Sequence, residues 1–587
     1  MKHTRSYIEN HPRPQWTRPT FVLLDGPWSF AFDKDDIGRK KGYMHGLEAP
    51  DTILVPYAHQ SPKSGIANQN DSAVVWYEKI IDTSITDTQR LLLHLEGSDY
   101  ETEVYVNGVY VGLCKGGYHR HTLDITTYAR TKTRLVFRIK DGMDATQPRG
   151  KQRWMPYAYE CFYLGTTGLY KSVWLETVPK TYLKHARYTP DIDHFKLDLD
   201  IEVAGLPEGT LKIDVHHEDT LIHQAVHTLT RERFHLSLDM TTDTQTMKLF
   251  HWSPEQPHLY DLTFTLSQQG QSDDVVRSYV GMRRIETRNT ILLLNNQPLY
   301  LKMVLDQGYF GAGHLTATEG ELAEDVKLMK QMGFNGVRKH EKIEDGRFAY
   351  YADVLGLLVW IEMPSAYEFR EDTVHNIIEE WRQIVRQHVN HPAVMAWVVM
   401  NESWGVYGIK SHKKMQHFTE TLYHLTHTLD GTRPVISNDG WEHTKSDLVT
   451  MHNYAESYAE LASAYDFSKH GLLSGHRTQH MQTKLAFAGT HTYDNQPLIL
   501  SEFGGIAFKK DAEKGWGYGH GVQTPEDYLN KLSGQMQAIR DNPAFSGYCI
   551  TQLTDVQQEV NGLLDEARQP KVPLEAIKKL NDAFPKR

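Results

Sequence analysis

The sequence predicts a multidomain chain: an antiparallel β-sandwich over residues 1–180, an immunoglobulin-like β-sandwich over 181–287 and a (β/α)8 TIM barrel over 288–587. Three observations carry this prediction. The chain has 587 residues, too many for one compact core at roughly 150 residues per domain. Its first half is written in short runs of period two, the alternation of half-buried strands. After Arg288 the grammar changes to apolar runs separated by amphipathic helices.

From Phe21 to Glu176 the runs are WSFAFD, TILVP, VVWYEKII, RLLLHLEG, TEVYVNGVYVG, TRLVFRIK and SVWLETV. Asn107-Gly108, flanked by alternating Val and Tyr, is a strong short-range hairpin signal. A second set runs from Tyr182 to Glu286: KLDLDIEVAG, LKIDVHHED, FHLSLDM, YDLTFTLSQ and VVRSYVGM. Its strand density has the scale of an immunoglobulin-like sandwich. The Pro-rich stretch 251–260 reads as a connection between strands.

Eight apolar runs follow: 301–306, 335–340, 357–363, 394–400, 434–439, 448–454, 497–503 and 546–553. Helical stretches at 319–332, 344–356, 372–390, 411–429 and 525–541 lie between most of them. In the first, Leu322, Val326, Met329 and Met332 share one face. The pattern fits a (β/α)8 barrel of ordinary length; a doubly wound open sheet is the competing architecture. The long insertion between Tyr454 and Pro497 is expected to form a wall of the active site.

Hydrophobic residues are 40% and charged residues 23% of the chain, ordinary globular usage. Mean hydropathy is −0.53, and no apolar run approaches the roughly 20 residues of a membrane-spanning helix. The first residues carry no signal-peptide pattern, so a cytoplasmic location is expected. The formal charge of −11, without a basic stripe, argues against nucleic acid. Cys114, Cys161 and Cys549 form no CxxC pair and read as small buried hydrophobes. The 32 histidines include no HExxH, and no metal or other cofactor is expected. His119, His121, His216 and His217 read as surface or packing residues. The glycines of 515–521 make no dinucleotide fingerprint and mark a loop beyond strand seven.

Barrel enzymes carry their chemistry at the C-terminal ends of strands. Two ends stand out. Strand four runs through Trp397-Val-Val-Met into Asn401-Glu402, and strand seven through Leu498-Ile-Leu-Ser into Glu502. A carboxylate after an apolar strand is costly unless it faces a polar cavity. Paired carboxylates on opposite sides of a barrel mouth suit glycoside hydrolysis, one donating a proton to the leaving oxygen and the other attacking the anomeric carbon.

With these flanks the chain resembles glycoside hydrolase family 2. LDGPWSFAFD (24–33), VYVNGVYVG (104–112), KGGY (115–118), GLYKSVWLE (168–176) and WSPEQPHLYDL (252–262) are similar to its jelly-roll, sugar-binding-like domain and its immunoglobulin-like domain. NHP (390–392), ahead of Asn401-Glu402, belongs to the same likeness. The resemblance implies that Glu402 is the general acid/base and Glu502 the nucleophile of a covalent glycosyl-enzyme. It further implies that Asn401 bonds the sugar 2-hydroxyl, that Arg338 keeps the nucleophile ionised, and that Tyr454 hydrogen-bonds it.

Other strand-end residues are candidates to line the sugar site or support it: Asp306, His340, Glu362, Asn438, Asp439 and His452. Trp404, Trp441 and Trp516 lie in loops after strands and either stack on a pyranose or pack the loops. Two departures bear on specificity. Where many relatives end strand eight with a Trp, this chain has Cys549-Ile-Thr551-Gln552. Where glucuronide-acting members carry Asn-x-Lys, it reads Glu559-Val-Asn561-Gly562, leaving Lys339 or Lys342 as substitutes.

The expected activity is that of a retaining exo-β-glycosidase acting on an oligosaccharide or glycoside, with β-galactoside the leading specificity. The alternatives are β-glucuronidase or another glycosidase of the same family, an inactive carbohydrate-binding protein, and transglycosylation. Large sandwich surfaces are compatible with a homo-oligomer.

Overall fold

The computed structural model describes residues 10–70, 72–241, 248–466, 484–508 and 515–585. Its first part is two antiparallel sheets face to face. One has four strands, in the order Phe21–Leu23, Val173–Pro179, Gln89–Leu95 and His121–Asp124. The other has six, from Asp51–Val55 through Gly26–Phe32, Val74–Asp82, Lys132–Lys140 and Glu101–Val106 to Val109–Lys115. Trp28, Phe30, Tyr77, Leu93 and Phe137 fill the space between them, as the alternation requires. The Asn107-Gly108 turn has positive φ at both residues, the geometry of a tight hairpin whose twist matches its strands.

The second sandwich packs a three-stranded sheet (Tyr182–Asp191, Lys196–Ala204, Arg233–Asp239) on a four-stranded one (Thr220–Thr228, Thr210–His217, Tyr260–Ser267, Asp274–Val280). Leu199, Ile213, Phe264 and Val276 make its core. In the connection before Tyr260, the buried indole of Trp252 donates to the Asp353 carbonyl at 2.7 Å, seating this sandwich on the barrel helix Gly346–Leu355.

Eight parallel strands form the barrel: Leu301–Asp306, Gly336–Lys339, Leu358–Glu362, Val394–Val398, Val435–Ile436, Val449–His452, Leu498–Gly504 and Phe545–Thr551. Every neighbouring pair is laddered except strands five and six, so the doubly wound alternative does not hold. Strand five is shorter than its apolar run because the Ser437 N–H turns to Ser446 Oγ at 2.8 Å and the Asn438 side chain donates to the Trp441 carbonyl at 2.7 Å. Asn438 and Asp439 consequently lie in a turn beyond it. Of the expected wall between Tyr454 and Pro497, residues 467–483 lie outside the described residues. Among the described residues no helix is long and apolar enough to cross a membrane.

One feature of the first sandwich reaches the barrel. Residues 141–167, between Lys132–Lys140 and Gly168–Leu169, leave their own sheets and lie across the strand ends. The N–H groups of Arg149 and Gly150 donate to the Ser365 carbonyl at 2.8 and 3.1 Å, and Tyr367 and Glu368 donate to Ala145 at 2.8 and 2.9 Å. Gly150 has φ +57, and a Cβ there would meet the Glu341 carbonyl at 2.1 Å. Only glycine fits this approach.

Candidate active site

Six strand ends, of strands two to seven, converge on one polar cluster. Arg338, fully buried on strand two, is its centre. Its guanidinium donates to Glu502 Oε1 at 2.7 Å, to Glu362 Oε2 at 2.7 Å and to Asn401 Oδ1 at 2.8 Å, and it lies 2.9 Å from Asp439 Oδ2. Only a planar fork with several donors serves strands three, four and seven and the turn after strand five at once.

Glu502 faces His452 because strand seven carries an extra residue there. Met451 pairs with Leu500, but His452 pairs with Glu502. Such a bulge re-aims side chains at a functional rim. Tyr454, two residues past strand six, donates its hydroxyl to Glu502 Oε2.

The backbone at Glu402 is held in an unusual state. Glu402 and Ser403 have φ of 49 and 62, left-handed values that cost a non-glycine residue about 1–3 kcal/mol each. Three bonds fix the turn. The Glu402 N–H donates to the Asp439 carbonyl and the Ser403 N–H to Asn438 Oδ1, both at 2.9 Å, and Ser403 Oγ donates to Glu442 Oε2 at 2.6 Å. The carboxylate of Glu402 is thereby aimed at His452, whose Nδ1 is 2.7 Å from Glu402 Oε1. His452 Nε2 is anchored 2.7 Å from Asp439 Oδ2.

Oxygens of Glu402 and Glu502 and a nitrogen of His452 all lie within 4.8 Å of one another. Burial opposes charge on Glu502, but His452, Arg338 and His340 together with the Tyr454 hydroxyl hold its carboxyl down to about 2. Burial likewise opposes charge on His452, yet the Glu502 and Asp439 carboxylates raise it to about 10. Burial raises Glu362 to about 7 despite Arg338. At neutral pH the cluster holds an ionised Glu502 and an imidazolium. The same three residues form a donor set of the kind that binds a cation, but a protonated His452 offers no lone pair and Arg338 already neutralises Glu502.

Asn401 completes this cluster. Arg338 fixes its oxygen, so Nδ2 is left buried without a hydrogen-bond partner, a donor free for a ligand hydroxyl. His340 sits beside it, with Nδ1 3.0 Å from Glu362 Oε1 and its ring centroid 6.4 Å from that of Trp404.

Other candidates fall elsewhere. Asp306 is taken up by the Lys339 ammonium at 2.6 Å and the Gly308 N–H at 2.8 Å, so it supports the barrel rather than offering a free carboxylate. Lys339 also pairs with Glu344 at 2.8 Å, and Lys342 with Glu344 at 2.9 Å and the Gly308 carbonyl at 2.6 Å. Neither lysine is available to a ligand, which corrects the expectation that one of them replaces the lysine of Asn-x-Lys. Trp441 is buried, with its ring centroid 5.5 Å from that of His452. Trp516 donates its indole N–H to the Glu160 carbonyl at 2.8 Å, fastening the segment 141–167.

That segment contributes residues the sequence reading passed over. Lys151 is 6% exposed and its ammonium lies 4.2 Å from the Trp404 ring centroid. Burial works against its charge, yet Cys161, Glu559, Glu341 and Glu502 raise its pKa above the usual lysine value. Cys161, whose thiol burial pushes up to about 12, is beside it rather than in a hydrophobic core. Tyr163 donates to Glu559, which also accepts from Asn561 at 2.9 Å. Tyr518, from the glycine-rich loop after strand seven, stacks on Tyr454 with ring centroids 3.4 Å apart. A long stretch without strand periodicity inside a sandwich, rich in Trp, Tyr and Phe from Trp154 to Tyr163, was the available signal.

Profiles of known families match along nearly the whole chain. "Glycosyl hydrolases family 2, sugar binding domain" matches residues 21–179, "Glycosyl hydrolases family 2" matches 181–283, and "Glycosyl hydrolases family 2, TIM barrel domain" matches 285–584. A β-galactosidase of Thermoanaerobacter pseudethanolicus is 23% identical over 70% of this chain and 53% of its own length. The β-glucuronidase of Rattus norvegicus is 25% identical over 83% of this chain and 78% of its own. The chain spans about half the length of such bacterial relatives. Among solved structures, a β-glucuronidase of Ruminococcus gnavus in complex with a C6-substituted uronic isofagomine aligns with a TM-score of 0.78. The match covers 97% of this chain and 98% of that one at 18% identity, a likeness of fold.

Proposed function

Since the chain belongs to family 2 of the glycosyl hydrolases, we propose that it is a retaining exo-β-glycosidase working by double displacement. The observation that carries this reading is the pair Glu402 and Glu502, with oxygens within 4.8 Å of each other. Retaining enzymes hold their two carboxyl groups about 5–5.5 Å apart, whereas inverting ones need about 6.5–9.5 Å to admit a water.

In the first step Glu502 attacks the anomeric carbon while Glu402 gives its proton to the departing oxygen. The aglycone leaves as an alcohol and the sugar stays as an ester of Glu502. In the second step Glu402 takes a proton from water, which attacks the same carbon and frees Glu502. Arg338 and Tyr454 keep Glu502 ionised and oriented. The free Asn401 Nδ2 suits a bond to the 2-hydroxyl, which strengthens as positive charge develops on the ring. The segment 141–167 narrows the barrel mouth, which favours action at chain ends.

A β-galactoside is the specificity expected from the sequence. A second reading, a β-uronide, is favoured by Lys151, a buried ammonium beside Trp404 that pairs with no carboxylate among the described residues. Initial rates on p-nitrophenyl galactoside, glucuronide, galacturonide, mannoside, glucoside and arabinoside, for wild type and Glu502→Ala, test both readings. Turnover of one sugar, lost in the variant, is expected. Tight sugar binding without turnover would instead mark a carbohydrate-binding protein.

A further inference from the structure

We propose that residues 152–163 of the first sandwich, together with Trp404 and Tyr407 of the barrel, form a leaving-group subsite for a planar aromatic aglycone. The proposal rests on the glycosidase reading above and adds the chemistry of the departing group.

Position comes first. Trp404 follows Glu402 by two residues and sits between the cluster and the sandwich segment, with its ring centroid 5.5 Å from that of Phe162. Lys151, from the same segment, sets its ammonium 4.2 Å from the Trp404 ring centroid. A general acid must stand at the oxygen it protonates, so the group beyond that oxygen leaves on the side of Glu402, toward this segment.

The lining is aromatic. Trp154 stacks on Tyr367 at 5.3 Å and 16°, and Phe162 meets the same ring edge-on at 5.2 Å and 84°. Tyr157 lies 6.1 Å from Tyr159, and Tyr407 follows Trp404 by three residues in the turn beyond strand four. The inner rings are packed against one another, but the outer two are open: Tyr157 is 62% and Tyr407 55% exposed. Exposed rings on the two elements that flank Trp404 offer a binding surface.

The segment is also built to keep its shape. Residues 151–153 bracket Tyr163 in a strand-like bridge, with the Arg153 N–H donating to the Tyr163 carbonyl and the Tyr163 N–H to the Lys151 carbonyl, both at 2.8 Å. Gln558 Nε2 donates to the carbonyls of Glu160 and Phe162 at 2.6 and 3.0 Å. Rings held on a fixed backbone stack without a cost of ordering them.

An aromatic ligand suits this lining better than a second sugar. A pyranose stacks on ring faces through its C–H groups as well, but the hydroxyls at its edge need several polar partners, whereas a planar arene buries both faces and needs none. One donor is in reserve: the buried indole N–H of Trp154 has no hydrogen-bond partner and suits a single polar substituent on the aglycone.

The test compares 4-methylumbelliferyl, p-nitrophenyl and methyl glycosides, and a disaccharide, of whichever sugar the wild type hydrolyses. Enzymes are wild type, Tyr157→Ala/Tyr407→Ala and Tyr157→Phe/Tyr407→Phe. The alanine pair is expected to lose about tenfold more kcat/KM on the aryl glycosides than on the methyl glycoside, and the phenylalanine pair to keep it. The covalent intermediate is common to all substrates, so reactivation of a 2-deoxy-2-fluoroglycosyl-enzyme by water is expected to be unchanged. Equal losses on aryl and methyl glycosides, or a larger loss on the disaccharide, would overturn the proposal. A wild type silent on every sugar would sink the glycosidase reading instead. The subsite is then read from calorimetric binding of p-nitrophenol: saturable in wild type and weaker in the alanine pair is expected, and no binding overturns it.

Discussion

His452 spans the gap between Glu402 and Glu502: its Nδ1 lies 2.7 Å from Glu402 Oε1 and 3.4 Å from Glu502 Oε2. Its other nitrogen is fixed by Asp439 at 2.7 Å. An imidazolium at this position stabilises the ionised Glu502 beside it.

The pH dependence of stability follows with a definite sign. The pKa of His452 is raised from 6.5 to about 10 on folding, so its contribution is fully present below about pH 6.5 and is lost as pH rises through about 10. The difference in Tm between wild type and His452→Gln is expected to be largest at pH 6 and to shrink toward pH 10. A difference that does not change across this window would contradict a charged His452.

Arg338 is expected to be the most costly single residue of the cluster to remove. Arg338→Met leaves Glu362, Asp439 and Glu502 buried together without their shared cation. Removing one partner of a buried ion network typically costs about 3–5 kcal/mol. Denaturant unfolding reads this directly, and a loss below about 1 kcal/mol, within the range of exposed pairs, would contradict it.

The two glutamates have different expected signatures. Glu502→Ala is expected to lose turnover by a factor on the order of 10³ or more. Added azide should rescue it by attacking the glycoside directly, giving the α-glycosyl azide. Glu402→Ala still forms the ester with a good leaving group, so azide should give the β-glycosyl azide. NMR of the products assigns each anomer, and the reverse pairing would exchange the two roles.

Lys151 tests the identity of the sugar. If the substrate is a β-uronide, Lys151→Met is expected to lower kcat/KM on it by about a hundredfold, because a buried carboxylate is left unpaired. The loss on the matching neutral glycoside should be far smaller. Equal losses on both would make Lys151 a support for Trp404 and leave the β-galactoside reading.

Some of this arrangement was legible in the sequence. Glu402 and Glu502 stand out because each ends an apolar run with a carboxylate, a local pattern with a local cost. Arg338 and Tyr454 could be singled out only through resemblance. Their meaning lies in which residues they meet, across 164 and 48 positions of chain. Lys339 and Lys342 read as free cations because sequence spacing does not reveal that Asp306 and Glu344 fold against them. Lys151 and Tyr518 were passed over for the opposite reason: they sit on segments without periodicity, and only the tertiary fold brings them to the strand ends. The bulge that turns Glu502 toward His452 has no signature in a run as apolar as Leu498-Ile-Leu.

The measurement that bears most directly on the central claim is mass spectrometry of the protein after incubation with the 2-deoxy-2-fluoro glycoside of its preferred sugar. The electron-withdrawing fluorine slows both steps by destabilising the oxocarbenium-like transition state, and a good leaving group lets the ester build up. The account predicts one added sugar per chain, carried on the peptide containing Glu502 and absent from Glu502→Ala. A sugar attached to another residue, or steady hydrolysis with no ester at Glu502, would contradict it.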